Sequence, residues 1–279
     1  MRAFLSAVLF IFVWQAATPA CTAALEFPFQ FREGFIWVEV SVAQTNTPLN
    51  FLVDTGAEVS VVDQRLVESL GFKLGQRVRV TGVQTTTVGF WPQRMNAIVG
   101  GVALPPDLLA IDLGKLSRTC TTPVDGLLGA DFFRGKVVQI DFQAQVIRLL
   151  TSEQVRELKG ESLALDFRSC GMRVPVSVNG NKPQWLRLDT GCVAPLHWVT
   201  TSVDSNLCRQ ERATGLAELT LPTTAVTAGL GAEKFAQVAA VVHEREIFAG
   251  EAGLLGNGLL TRFAQVTVDA RGKRLILTK

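Results

Sequence analysis

The sequence predicts a mostly β protein made of two similar lobes, and three observations carry that reading. Short strand-like runs bounded by Gly, Pro and Thr dominate the chain, with Val and Phe abundant. At 279 residues and 48% hydrophobic content there is enough apolar material for one large domain or two small ones. The tripeptide Asp-Thr-Gly also occurs twice, in FLVDTG (51–56) and LRLDTG (186–191), each time at the end of an apolar run.

Read from the start, Arg2, the apolar stretch 3–14 and the small residues after it form the pattern of an export signal. Residues 1–24 are expected to be a signal peptide, which makes the mature protein periplasmic or extracellular. The stretch is shorter than the roughly 20 residues of a spanning helix, so no stable membrane span is expected. An uncleaved anchor and lipid attachment at Cys21 are the alternatives. Cleavage after Ala24 leaves Cys120, Cys170, Cys192 and Cys208, open either to disulfide pairing or to burial as thiols.

The elements then come in one order, twice. FIWVEVSV (35–42) leads through a Pro-containing turn into the first Asp-Thr-Gly, and MRVPVSVNGNKP (172–183) leads through an Asn-Gly turn into the second. DGLLGADFF (125–133) follows the first and AGLLGNGLL (252–260) the second. The spacing is 72 residues from Asp54 to Gly126 and 64 from Asp189 to Gly253. Each copy closes in a two-strand pattern with an apolar-Asp step, Ile140-Asp141 and Val268-Asp269. The charged, helix-compatible 151–162 is the natural linker. This gives an N-terminal lobe 25–159 including the linker and a C-terminal lobe 160–279. From Asp54 to Ile98 there are 44 positions, against 37 from Asp189 to Val226. The surplus falls at 78–90, a Thr/Gly-centred hairpin. Its tip, Thr81, Gly82, Val83 and Gln84, is the candidate substrate-covering flap, with an ordinary surface hairpin as the alternative.

With these landmarks in order, the chain resembles the aspartic proteases. It is closer to a single-chain tandem form of their retropepsin-like branch than to pepsin: the lobes are smaller, and there is no Tyr to occupy the position on pepsin's flap. The resemblance implies two β-barrel-like lobes about a pseudo-twofold axis, the aspartic (acid) protease fold. It implies Asp54 and Asp189 as the catalytic pair, with the Gly-Leu-Leu-Gly segments crossing near their loops. Thr55 and Thr190 would hydrogen-bond across to the opposite lobe, and Gly56 and Gly191 would permit tight turns and close backbone approach. It further implies an active monomer, no cofactor or metal, and a peptide or protein substrate.

Two carboxylates a few ångströms apart cannot both ionise easily and so share a proton, as aspartic proteases are known to do. One lobe is then half a catalyst, which accounts for two copies of the motif. The expected function is endopeptidase action by water activation. The alternative is a catalytically impaired module that binds extended peptides, because the second copy has Pro195 where the first has Ser60. Three residues after each Asp, where pepsin-like relatives carry Ser or Thr, stand Ala57 and Cys192. With less hydrogen bonding to the carboxylate, the optimum is expected above pepsin's, at about pH 4–6.

Other chemistries find little support. A Cys192/His197 thiol pairing rests on sequence proximity alone, and the two histidines have no zinc-ligand spacing. GLGAEK (229–234) lacks the last glycine of a dinucleotide fingerprint. A net charge of +2 gives no reason to expect nucleic acid. The arginines spread through both lobes read as solvated surface charge.

Overall fold

The computed structural model describes residues 25–83, 85–168, 171–201, 208–214 and 217–279, with backbone alone at 168, 208–214 and 217–219. The expected signal segment with Cys21, the flap residue Gln84, Cys170 and the side chain of Cys208 lie outside the described residues. The chain is mostly β with a few short helices. No helix of the described residues is long and apolar enough to cross a membrane.

In the first lobe, Phe35–Val42 pairs antiparallel with Leu49–Val53, which runs parallel to Gly126–Leu128. That strand lies antiparallel to Val61–Asp63, itself parallel to Leu109–Ile111. Thr85–Trp91 and Gln76–Gly82 extend the sheet to one edge, both antiparallel. In the second lobe Gly171–Val178, Gln184–Asp189, Gly253–Gly256, Leu196–Val199, Glu233–His243, Ala217–Leu230 and Cys208–Thr214 pair in the same order and sense. The glycine-led strand is central in both. It is inserted between the strand that ends in Asp and the strand that leaves the Asp-Thr-Gly loop, so it sets where the loop sits.

Local chemistry explains the turns. Asn179 and Gly180 both have positive φ, 53° and 75°, the geometry that an Asn-Gly hairpin supplies at little cost. The apolar-Asp steps act alike. Asp141 accepts from the Ala144 N–H at 2.8 Å, and Asp269 from the Gly272 N–H at 2.7 Å. Each also pairs with an arginine, Arg148 and Arg274 respectively, which fixes the closing hairpin.

The lobes join through a six-stranded sheet in which Val137–Asp141 pairs antiparallel with Gln265–Asp269. Its edges are Leu25–Pro28 and Glu161–Ala164, the first strand of each lobe, each paired to its own lobe's closing hairpin. One buried apolar cluster runs through this sheet from Phe51 and Leu128 to Leu188 and Leu255. At roughly 1.5–3 kcal/mol per buried aliphatic or aromatic side chain, that cluster holds the lobes together. Between the lobes, Ser152–Glu157 is a helix capped reciprocally by Thr151 and Gln154.

One expectation needs correcting. Ile98 pairs with Ser41, and the second-lobe residue in that register is Gly229, opposite Ser177, not Val226. Cys208–Thr214 and Ala217–Leu230 form a hairpin where the first lobe has its own. The 76–91 hairpin is therefore not an insertion peculiar to the first lobe. The spacing differs because Ala217–Leu230 is one long strand doing the work of two, Thr85–Trp91 and Ala97–Val99.

Candidate active site

Both Asp-Thr-Gly loops meet at the junction of the lobes. Thr55 N–H donates to Thr190 Oγ1 and Thr190 N–H to Thr55 Oγ1, each at 3.0 Å. The hydroxyls donate onward, Thr55 to the Leu188 carbonyl at 2.8 Å and Thr190 to the Val53 carbonyl at 2.7 Å. Both threonines are fully buried, so every one of these bonds replaces a costly unsatisfied group. The square of bonds ties one loop to the other.

It also brings Asp54 and Asp189 face to face, with their carboxyl groups hydrogen-bonded to each other. The glycines permit this by being small. A Cβ on Gly56 would lie 2.5 Å from the Asp189 carboxyl carbon, and one on Gly191 2.5 Å from that of Asp54. Neither glycine has positive φ, so close approach across the junction is what each position requires.

The two carboxyl groups differ. Asp54 Oδ1 accepts from the Gly56 and Ala57 N–H groups at 3.0 and 3.1 Å, and Asp189 Oδ1 accepts from the Gly191 N–H at 3.0 Å. Burial raises Asp54 above the ordinary carboxylate range, offset by those two N–H donors. Burial, and then the charge of Asp54, push Asp189 well above it. The Arg187 guanidinium pulls both down. The pair titrates as a unit.

The loops that carry the pair are supported differently. In the first lobe Ser60 N–H and Oγ donate to Asp131 at 2.9 and 2.7 Å, and Gly129 N–H donates to Ser60 Oγ at 3.0 Å. In the second, Pro195 packs over Gly258, where a Cβ would meet its ring at 2.8 Å. The donor and its carboxylate are replaced together by a ring and the glycine that makes room for it. Asn257 Nδ2 adds a bond to the Thr190 carbonyl at 2.6 Å and one across the lobes to the Gly34 carbonyl at 2.9 Å. The unusual second loop is thus held by other means.

Asp54 and Asp189 open into a cavity of about 590 Å³. Thr81, Gly82 and Val83 of the hairpin line it. Val83 is buried on the second lobe against Ile247 and Leu254, so the hairpin spans the cavity.

The sequence reading missed the second-lobe wall. Strand register equates five positions: Trp37 with Arg173, Leu52 with Arg187, Val61 with His197, Ile111 with His243 and Val124 with Glu251. In the first lobe these five belong to one apolar cluster under the hairpin. In the second they are buried polar groups. Arg187 makes a bidentate pair with Glu251, at 2.8 and 2.7 Å, and donates Nη1–H to the Gly56 carbonyl at 2.9 Å. Its guanidinium stacks over Phe248 at 4.0 Å. Arg173 flanks Glu251 and donates to the Gly250 carbonyl at 2.9 Å. Arg173 and Arg187, each 5% exposed, are therefore not solvated surface charge. The signal was an arginine two residues before Asp in an otherwise apolar strand.

His197 and His243 stack, with Nδ1 of one 2.9 Å from Nε2 of the other. Burial lowers His197 to about 3, with the neighbouring His243 adding to the effect, and burial lowers His243 to about 4. An unfolded chain takes up these protons near pH 6.5. Between the two ranges the unfolded state binds more protons, so stability falls as pH falls. We expect a loss on the order of 6 kcal/mol from this pair, about 3 for each histidine, between pH 7 and 4, read as a falling urea midpoint. His197→Val/His243→Ile should lack most of that slope. Equal slopes in the two proteins would contradict this.

The remaining cysteine expectation is partly resolved. Cys120 carries a free thiol, and the Cys192 thiol lies 3.7 Å from the Ala194 carbonyl oxygen.

Comparison with known proteins agrees with the geometry. Residues 38–132, which include Asp54 and the first Gly-Leu-Leu-Gly, match the family model described as aspartyl protease. The chain is 29% identical over 149 residues to the Gag-Pol polyprotein of gibbon ape leukemia virus, a match spanning 53% of this chain and 8% of that polyprotein. Together with the β-rich two-lobed fold, these matches support a likeness to the aspartic proteases and, within them, to the retropepsin-like family.

Proposed function

We propose that this protein is an endopeptidase that hydrolyses peptide bonds by activating water on the Asp54/Asp189 pair. The observation that carries the reading is the mutual hydrogen bond of two buried carboxyl groups from opposite lobes, at the floor of a cavity spanned by a hairpin. Asp54, which accepts from the Gly56 and Ala57 N–H groups, serves as the charged member and takes a proton from water as the oxygen adds to the carbonyl carbon. Asp189 gives its proton to the carbonyl oxygen. The tetrahedral diol then collapses: Asp54 returns its proton to the leaving nitrogen, Asp189 takes one from a diol hydroxyl, and the C–N bond breaks. Both groups end as they began. Thr55, Gly56, Thr190 and Gly191 support the pair, and Thr81, Gly82, Val83 and Gln84 cover an extended substrate.

Because both half-sites are on one chain, the proposed active species is the monomer, with activity per molecule constant on dilution. The segment 1–24 is proposed to direct export. Incubation with a mixed peptide library across pH tests the activity. A statine-type inhibitor separates it from a peptide-binding module, since a transition-state mimic binds tightly only to a competent pair.

The optimum is expected at about pH 4–6, because Ala57 gives Asp54 its backbone N–H but no hydroxyl. Ala57→Ser should add a bond to the ionised carboxylate and move the acid limb of kcat/KM downward. An unchanged limb, or a parent optimum near pH 2, would count against this tuning.

A further inference from the structure

We propose that the second-lobe wall of the cavity, formed by Arg187 on Glu251 and His197 on His243, is a side-chain subsite for a glutamine or glutamate of the substrate. The opposite wall takes a large apolar side chain. The proposal rests on the endopeptidase reading for the identity of the ligand as a peptide. It deepens that reading by giving the two halves of the cleft unequal chemistry.

The two walls of the cavity are unequal. Leu52 and Val61 line the cavity from the first lobe, while Arg187 and His197 line it from the equivalent second-lobe positions. A core of the first kind suffices for this fold, since the first lobe has one. Burying two arginines, a glutamate and two imidazoles instead is weak stabilisation at best, because desolvation offsets most of the pairing energy. Where a chain breaks a local rule that its own other half obeys, the gain is expected in function.

The donor inventory says which ligand fits. The Arg187 guanidinium has five N–H groups. Two go to Glu251 and one to the Gly56 carbonyl. Two remain, one on each terminal nitrogen, on a group whose face is covered by Phe248. These call for an acyl oxygen. His197 Nδ1 is engaged with His243, which leaves Nε2 as the nitrogen able to meet a ligand from the cavity. It is neutral above about pH 3, so it does not repel a cation by charge, but the Arg187 guanidinium beside it on the same wall does. A carboxamide or carboxylate satisfies the guanidinium, an aliphatic side chain leaves it bare, and a lysine meets a like charge.

The test uses the mature chain and peptides carrying Leu on one side of the central bond and Gln, Glu, Leu or Lys on the other, in both orders. Products are identified by mass. Reduced-bond versions of the same peptides are measured for binding by calorimetry. We expect Gln and Glu to exceed Leu and Lys by about 10-fold or more in kcat/KM and in affinity, in one order only. His197→Val/His243→Ile, which copies the first-lobe residues Val61 and Ile111, should narrow or invert the Gln-to-Leu ratio. Cleavage with Leu equal to or better than Gln in the parent overturns the subsite while leaving the endopeptidase reading intact. Selective binding without cleavage overturns the endopeptidase reading and keeps the subsite. Absence of both cleavage and selective binding overturns both. Should the double variant fail to fold, the parent's ratios alone decide.

Discussion

Asp54→Asn and Asp189→Asn are each expected to lower kcat/KM for peptide cleavage by at least about 10³-fold, and the double variant to be little worse than either. The reason is in the geometry. The two carboxyl groups hydrogen-bond each other, and the reaction needs one charged and one protonated member at once. An amide in either place removes a proton carrier without removing the fold: the threonine bonds between the loops do not involve the carboxyl groups. Circular dichroism and thermal midpoints should therefore stay close to the parent. A single variant that retains substantial activity would sink the mechanism. A variant that unfolds would show that the carboxyl pair is structural.

The second large effect is expected at Arg187. Arg187→Leu places the first-lobe residue, Leu52, at the equivalent position, yet should destabilise the protein by about 3–5 kcal/mol. It leaves Glu251 buried with only Arg173 beside it, at 3.8 Å, and the Gly56 carbonyl without its donor. Replacing the whole cluster by its first-lobe equivalents, Arg173→Trp, Arg187→Leu and Glu251→Val, should recover most of the loss, since no uncompensated charge remains. Urea unfolding of the two proteins measures the difference. Any residual activity of Arg187→Leu should have its pH profile moved upward, because the guanidinium lowers both aspartates. A single variant as stable as the parent would show that the pair is solvated in solution.

Much of the site was legible because its signals are local. Asp-Thr-Gly, Gly-Leu-Leu-Gly and the apolar-Asp turns are short, and each needs its residue types for a reason confined to a few neighbours. The Asn179-Gly180 turn and the 76–91 hairpin were readable on the same ground. The second-lobe wall was not. Arg173, Arg187, His197, His243 and Glu251 are far apart in sequence, and each alone reads as an ordinary surface or packed residue. Only the strand pairing shows that they occupy one face, and that the same face is apolar in the first lobe.

By itself, then, the sequence determined a mostly β chain with two ordered sets of the same landmarks and one aspartate in each. Alternation, turn chemistry and glycine placement act over a few residues, and the linear order preserves them. Tertiary structure alone decided three further matters. Gly56 and Gly191 answer to the opposite lobe's carboxyl group, because a contact between lobes has no local trace. Pro195 and Gly258 replace the Ser60–Asp131 bond as a unit, because their compensation is steric and acts across 63 positions. The charge beneath the second aspartate is buried and paired, because burial is a property of what packs on a strand and not of the strand's own residues.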